Sequence, residues 1–169
     1  MQSVPIIAVA VIIMVAISFF SYIYKEMEIK SELKALEEKL SGAGIYEIDR
    51  MNGYEFEHYL ELLFNNNGIP ALRTPSSGDF GADLVLEGNE RVVVQAKRYK
   101  NKVGIKAVQE INSAKSYYNA HEAWVITNNF FTPQAIKLAE ATGVKLIDRN
   151  ELANLILKFK KTDEVSNWR

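Results

Sequence analysis

The chain has 169 residues, of which 48% are hydrophobic and 24% are charged, with a formal net charge of −1 and no cysteine. This length suggests one domain of ordinary size. The absence of cysteine excludes a disulfide scaffold and a thiolate metal site, and it suits a reducing compartment. The charge is balanced but unevenly spread, since the five cations between positions 97 and 106 are interrupted by no acidic residue.

The N-terminal segment, residues 4–24, reads VPIIAVAVIIMVAISFFSYIY and contains no charge. As a helix at about 1.5 Å per residue it spans roughly 31 Å, the thickness of one hydrocarbon core. A cleaved signal peptide is less favoured, because the start is not basic and the exit lacks small residues before a cut. The pattern therefore predicts a transmembrane anchor over residues 1–24, with the membrane as a partner through residues 4–24.

The orientation of that anchor is predicted from its flanks. Four lysines follow the apolar run before Gly44, and no Lys or Arg precedes it. By the positive-inside rule, this predicts a single-pass membrane protein whose C-terminal domain lies in the cytoplasm.

Residues 25–44 are predicted to form a helical stalk and a linker. The apolar residues Ile29, Leu33, Leu36 and Leu40 step by four, three and four, and SGAG ends the segment. This short seam leaves two interpretations open, a coiled coil that makes a homodimer and a solvated stalk with a weak apolar stripe.

Residues 45–169 are predicted to form one domain in which helices and strands alternate. Apolar spacing and turn residues predict helices over residues 52–66, 104–119, 132–143 and 148–159, and strands over residues 70–74, 82–86, 91–98, 122–127 and 144–147. This order predicts an α/β fold with a mixed sheet flanked by helices, antiparallel at its start and parallel later.

Three polar residues in the second and third strands raise a question of parity. Gln95 and Lys97 share one face of their strand, but the loop decides whether Asp83 joins them. A two-residue loop would place Asp83 on the other face, whereas a three-residue loop over residues 88–90 would place it opposite Gln95. Until the register is known, solvent-facing residues at a sheet edge are an equally open interpretation.

On a shared face, these residues suit the cleavage of a phosphodiester. A carboxylate and an amide oxygen about 5 Å apart across a hairpin can hold Mg²⁺, with Mn²⁺ as a substitute. A neighbouring lysine can stabilise the charge that develops on phosphate or help to deprotonate the attacking water. The basic run that starts at Lys97 could follow a nucleic-acid backbone.

The order of these segments resembles a known nuclease family. The matching segments read GYEFEHYLELLF, SGDFGADLVL, VVVQAKRYK, VGIKAVQEI and AWVITNNFFTPQAIKLAEATGVKLID, and they cover residues 51–152. Together they resemble the Mrr catalytic domain of the PD-(D/E)xK, restriction-endonuclease-like superfamily, in its Gln-x-Lys variant.

The resemblance implies roles for individual residues. Asp83 corresponds to the metal-binding Asp, Gln95 to a metal ligand that is Glu or Asp in most relatives, and Lys97 to the catalytic Lys. Glu57 corresponds to a helix Glu that reaches the metal, directly or through water. Asp79 is implied to support the site, and the residues implied or expected to contact DNA are Arg98, Lys100, Lys102, Lys106 and Gln109.

The sequence therefore predicts a membrane-anchored, Mg²⁺-dependent DNA endonuclease. The alternative is a catalytically silent, membrane-bound module that binds nucleic acid or a partner on the same fold, and RNA remains open as a substrate. Gln95 gives the site one charge fewer than an acidic residue would, which makes two metal ions less favoured. His58 and His121 have no partner pattern and are interpreted as structural.

Overall fold

The structure is a computed structural model that describes the backbone of residues 6–41, 43–75 and 80–166. Its side chains are described for residues 12–31, 43–75 and 80–159. The chain divides into two compact units, Met1–Lys39 and Leu40–Arg169, which are described separately below.

The first unit is formed by a single helix, α1 (Ile6–Ser41), which continues without a break into the segment predicted as a stalk. Apolar side chains from Ile12 to Tyr24 are exposed along it. Among the residues that the structure describes, no helix is both long and apolar enough to cross a membrane. The anchor predicted over residues 4–24 is therefore not supported, and the cytoplasmic location inferred from it stays a prediction.

Part of the predicted stalk lies outside the described side chains. Of its four seam residues only Ile29 is described, and it is half-exposed on α1. The homodimer predicted from this seam stays a prediction, as do the domain limits at residues 24 and 44.

The second unit contains five helices and five strands among its described residues. The helices are α2 (Ile45–Ile48), α3 (Gly53–Asn66), α4 (Ile105–Tyr117), α5 (Pro133–Thr142) and α6 (Arg149–Ser166). The strands are β1 (Ala71–Arg73), β2 (Leu84–Leu86), β3 (Val92–Lys97), β4 (Glu122–Thr127) and β5 (Lys145–Ile147).

The five strands form one sheet in the order β1-β2-β3-β4-β5. β1 pairs antiparallel with β2 and β2 antiparallel with β3, whereas β3 and β4, and β4 and β5, pair parallel. The helices α4 and α5 provide the crossovers that parallel neighbours require. The predicted α/β class and the change from antiparallel to parallel pairing are confirmed.

Helices cover both faces of this sheet. On one face, α4 and α5 pack with Val85, Val93 and Val125 in a single buried cluster. The other face carries the alternate residues of the strands, and there the ring of Phe64 on α3 lies 6.4 Å from that of Trp124 on β4. α3 therefore packs on the face opposite α4, a fact that matters for the residues of the site.

The start of α3 is determined locally by its sequence. Asn52 accepts a hydrogen bond from the backbone N–H of Glu55 at 2.9 Å, and the Glu55 carboxylate accepts one from the N–H of Asn52 at 2.7 Å. This reciprocal pair satisfies two backbone donors that a helix N-terminus otherwise leaves unpaired. The helix consequently begins where the sequence predicts it.

Candidate active site

The hairpin of β2 and β3 determines which polar side chains meet. Leu84 lies opposite Val94 and Leu86 opposite Val92. This is the register expected for a three-residue loop, and its last pair leaves Asp83 one residue beyond the paired strand. Ala82 packs in the same cluster as Val85 and Val93, so the side chains do not alternate regularly through residues 82–85. Gln95 shares the face of Val93, which α4 covers, and the face of Asp83 stays a prediction.

Asp83 is held at the end of β2 by the backbone of β3. Its N–H donates to the carbonyl oxygen of Val94 at 2.8 Å, and its Oδ2 accepts from the N–H of Ala96 at 2.7 Å. Ala96 lies between Gln95 and Lys97, so the carboxylate is fastened beside both of the other predicted residues. A carboxylate held by a backbone donor has a defined position before any ligand binds.

Gln95 is almost fully buried, with 1% of its surface exposed. Its Nε2 donates to Oε2 of Glu110 on α4 at 2.9 Å. Its Oε1 is buried, and within the described part of the chain it has no hydrogen-bond partner. Buried acceptors nearly always have a partner, so an unsatisfied one indicates a position for a ligand.

Lys97 approaches the same carboxylate of α4. Its Nζ lies 3.8 Å from Oε2 of Glu110, and its side chain is 21% exposed. Lys106 approaches the other oxygen of Glu110 at 3.6 Å but is 87% exposed. Beside these three residues lies a pocket of about 170 Å³, also lined by Tyr99, through which a substrate can reach Lys97.

Glu110 is a site residue that the sequence pattern did not indicate. Its neighbour Gln109, which the family resemblance indicated instead, is exposed on α4. One sequence feature could have identified Glu110, because it is the sole acidic residue between Glu90 and Glu122. An isolated carboxylate four residues after Lys106, in a basic segment, has lysines as its natural partners.

A glycine permits the close approach of the loop before β2 to α4. Gly81 has a φ of 90°, and a Cβ placed there would lie 2.7 Å from Cβ of Glu110. The same Cβ would lie 3.4 Å from Nε2 of Gln95. A side chain at position 81 is therefore excluded both by backbone conformation and by the space that Glu110 occupies.

The predicted DNA-contacting residues are divided between two pockets. Lys106 lies with Lys97, whereas Arg98 and Lys100 line a separate pocket of about 380 Å³. Nη2 of Arg98 donates to the carbonyl oxygen of Asp49 at 2.8 Å, so this guanidinium also has a structural contact. Lys102 and Gln109 are exposed and line neither pocket.

The second pocket is organised around Asp49. Two nitrogens of Arg149 donate to its carboxylate at 2.7 and 2.8 Å, and Nδ2 of Asn128 donates at 2.9 Å. The hydrogen bond from Arg149 lowers the pKa of the Asp49 carboxyl from its ordinary value, because it stabilises the ionised form. Nothing in the sequence pattern singled out this cluster, whose members are up to a hundred residues apart.

Two further residues were predicted for the site. Glu57 is half-buried on α3. Asp79 lies outside the described residues. The role of each stays a prediction.

The interpretation of the two histidines as structural stays a prediction. Nδ1 of His58, which is buried on α3, lies 3.0 Å from Oε2 of Glu61. His121 is exposed just before β4, and its N–H donates to the carbonyl oxygen of Arg91.

The donor set fits one hard divalent cation better than a cluster site. Over the described ranges, no three His, Cys, Asp or Glu side chains gather in a way that could hold a metal ion. The carboxylate of Asp83 and the unpartnered Oε1 of Gln95 are nevertheless oxygen ligands of the kind that Mg²⁺ and Mn²⁺ take. Water and a phosphate oxygen would complete such a coordination sphere.

Comparison with known proteins places this geometry in a family. The model of the Mrr_cat restriction endonuclease family matches residues 48–156. The type IV methyl-directed restriction enzyme EcoKMrr of Escherichia coli (strain K12) is 35% identical over 91 residues, which cover 51% of this chain. The chain spans only 30% of the length of that relative.

Two solved structures share the fold. The crystal structure of AF1548, a protein of unknown function, has a TM-score of 0.55 at 21% identity and covers 65% of this chain and 67% of its own. The DNA modification-dependent restriction endonuclease AspBHI has a TM-score of 0.53 at 20% identity, over 72% of this chain and 35% of its own.

Proposed function

Because the chain belongs to the Mrr_cat family of restriction endonucleases, we propose that it is a DNA endonuclease that hydrolyses phosphodiester bonds with Mg²⁺ or Mn²⁺. One observation carries the proposal. Lys97 lines a pocket, Gln95 on the same face of β3 has a buried oxygen without a partner among the described residues, and the Asp83 carboxylate accepts from the N–H of Ala96 between them.

Asp83 and Gln95 are the residues that would hold the metal. Asp83 contributes a carboxylate fastened by the N–H of Ala96, and Gln95 contributes Oε1. When bound, the cation polarises the phosphate and lowers the pKa of a coordinated water. With Gln95 neutral, one metal ion is the expected stoichiometry, and the helix glutamate Glu57 is proposed as a further ligand through water.

Lys97 is proposed to act on the reacting phosphate. Its ammonium is partly buried at the edge of the 170 Å³ pocket, and its contact with Glu110 at 3.8 Å leaves donors available. A phosphate oxygen in that pocket would receive a charge-assisted hydrogen bond that strengthens as charge develops in the transition state. The same ammonium limits the number of positions from which water can attack.

The remaining cations are proposed to follow the DNA backbone on both sides of the cleavage site. Lys106 extends from the pocket of Lys97, Arg98 and Lys100 line the larger pocket, and Lys102 is exposed and lines neither pocket. These contacts carry no base information, because phosphate is the same at every step. The methyl-directed activity named for the E. coli relative is not part of the proposal, since this chain matches only 30% of that protein.

The test is cleavage of supercoiled plasmid by the purified chain, with Mg²⁺ and with EDTA, on methylated and unmethylated DNA. We expect nicking and linearisation that require the metal and are lost in Asp83→Asn. Asp148→Asn is the matched control, since an asparagine caps α6 as an aspartate does. Equal cleavage by wild type and Asp83→Asn, or DNA binding without any cleavage, would favour the silent binding module instead.

A further inference from the structure

We propose that Glu110 is a positioning residue that makes the neutral Gln95 a competent metal ligand. The inference rests on the proposed function and adds to it a residue for which the sequence analysis assigned no role. Glu110 lies on α4, 2.9 Å from Nε2 of Gln95. It acts through that amide and through the ammonium of Lys97.

The hydrogen bond to Glu110 determines which end of the Gln95 side-chain amide faces α4. A side-chain amide has one end that donates and one that accepts, and the two are nearly equal in size. An ionised carboxylate can only accept, so the NH₂ of Gln95 must face Glu110. Oε1 is thereby directed away from α4, and this assignment follows from hydrogen-bond chemistry rather than from shape.

The surroundings of Oε1 of Gln95 leave a place for a ligand. This oxygen is buried and has no hydrogen-bond partner among the described residues, and the carboxylate of Asp83 accepts from the N–H of Ala96, the residue after Gln95. Leaving a buried acceptor unsatisfied costs about 1–3 kcal/mol. A cation held by Oε1 would satisfy this oxygen, whereas an amide turned the other way would present its N–H donors to the site and disfavour a cation.

Glu110 also supplies a negative charge that the Gln95 side chain lacks. In most of the superfamily that the sequence resembles, an acidic residue stands where this chain has Gln95. Glu110 places a negative charge directly behind the amide, and partners of this kind orient a metal ligand and raise its basicity. The negative charge that Gln95 lacks is therefore supplied by Glu110, which contacts the amide and not the metal.

The residues around Glu110 allow its carboxylate to lie close to Gln95. Gly81, with its φ of 90°, lets the loop before β2 pass against Glu110 where a Cβ would come within 2.7 Å. Lys106 lies 3.6 Å from Oε1 of Glu110 and adds a second cation beside that carboxylate. No other acidic residue lies between positions 90 and 122, so none nearby in sequence could replace it.

The experiment compares four forms of the full chain: wild type, Glu110→Gln, the double variant Gln95→Glu with Glu110→Gln, and Glu140→Gln. Glu140 is an exposed glutamate on α5, so its variant loses the same charge far from the amide. Mn²⁺ affinity is measured by isothermal titration calorimetry, plasmid cleavage is measured at saturating metal, and thermal unfolding without metal reports on the fold.

For Glu110→Gln we expect Mn²⁺ to bind about 10–100-fold more weakly, with unchanged affinity in Glu140→Gln. The double variant exchanges the positions of amide and carboxylate, keeps the net charge of the wild type and restores a donor–acceptor pair. It should regain most of the lost Mn²⁺ affinity and bring back measurable cleavage. A residue that only stabilised the fold would change unfolding and leave the affinity of the folded protein unaltered.

Two results would overturn the inference and leave the proposed function standing. One is equal Mn²⁺ affinity in wild type and Glu110→Gln. The other is weakened affinity in Glu110→Gln with no recovery in the double variant, because the effect would then not pass through the amide. A wild type that neither binds Mn²⁺ nor cleaves DNA would instead contradict the proposed function, and the inference with it.

Discussion

Lys97 combines a small contribution to the fold with a large one to the proposed reaction. Its ammonium lies 3.8 Å from Glu110 and is partly exposed, so it fills no apolar space. Gln95 and Lys97 are two residues apart, yet one is fully buried and the other reaches a pocket. At this scale, burial distinguishes the residue that holds a ligand from the one that meets substrate.

Lys97→Ala should reduce plasmid cleavage by about 10²–10³-fold, because stabilisation of charge in the transition state is of that size. DNA affinity should fall only modestly, with the slope of log K against log salt reduced by about one. Fluorescence anisotropy and cleavage assays measure the two effects. Lys137→Ala, which removes an exposed lysine of α5, is the control, and equal cleavage by both variants would exclude Lys97 from the reaction.

Gly81→Ala should both destabilise the domain and impair the site. The new Cβ meets Glu110 at 2.7 Å in a backbone conformation that L-residues rarely adopt, which together cost about 1–3 kcal/mol. Thermal unfolding and cleavage should both report the loss. Gly53→Ala serves as the comparison, because no atom lies within 4 Å of the Cβ it would add. Equal unfolding temperatures and equal cleavage in the two variants would show that Glu110 can move aside without a cost in stability.

The residue identities of the hairpin could be predicted from the sequence, whereas Glu110 could not be connected to them. Gln95 and Lys97 share a face by strand alternation, and the loop length brings Asp83 to the end of the paired residues beside their strand. The contact of Gln95 with Glu110 joins β3 to α4 across the sheet face, and periodicity carries no information on how a helix is rotated and placed above a strand. Only the packed structure supplies that distance.

At the scale of elements, the β2–β3 hairpin determines whether the site exists. The loop residues Gly88 and Asn89 suit a two-residue turn as well as a three-residue one, so turn chemistry alone left the face of Asp83 undecided. The observed pairing of Leu84 with Val94 is that of the three-residue loop, and the side chain of Asp83 lies beyond this last pair. The placement of α3 on the sheet could not be predicted from the sequence, because its residues indicate where the helix starts but not which face of the sheet it covers.

Deleting Asn89 should abolish cleavage. The shortened loop shifts the pairing by one residue, and a one-residue shift moves a side chain to the other face of the sheet. Asp83 would then be turned away from Gln95. Asn89→Gly keeps the loop length and should retain activity. Circular dichroism verifies that the deletion variant is folded, and a folded, fully active deletion variant would contradict this register argument.

At the scale of the whole catalytic unit, the contact between Asp49 and Arg149 joins residues a hundred positions apart. The bidentate pair connects the turn after α2 to the first turn of α6, and Asn128 adds a contact from the end of β4. Both carboxylate oxygens are hydrogen-bonded, which lowers the pKa of Asp49 in the folded protein relative to the unfolded chain.

The stability contributed by this pair should depend on pH in a defined direction. Because the folded-state pKa is the lower one, the contribution is complete above the ordinary value of 3.8 and is lost as the pH falls through the folded-state pKa. Asp49→Asn should therefore unfold at a lower temperature than wild type at pH 7, by roughly 4 °C for about 1 kcal/mol.

Below the folded-state pKa of Asp49 the two melting temperatures should converge. Thermal unfolding followed by circular dichroism from pH 7 down to acid measures this convergence. Glu140→Gln, which alters an exposed carboxylate of α5, should show no comparable trend. A difference between wild type and Asp49→Asn that stayed constant into acid would mean that the charge of Asp49 contributes nothing.

The contact between α2 and α6 also bears on how far the domain can be shortened. Since Asp49 touches Arg149 and the two helices are in contact, the segment before α3 and the segment after β5 hold each other in place. Removing either segment would leave the carboxylate of Asp49 or the guanidinium of Arg149 without its partner.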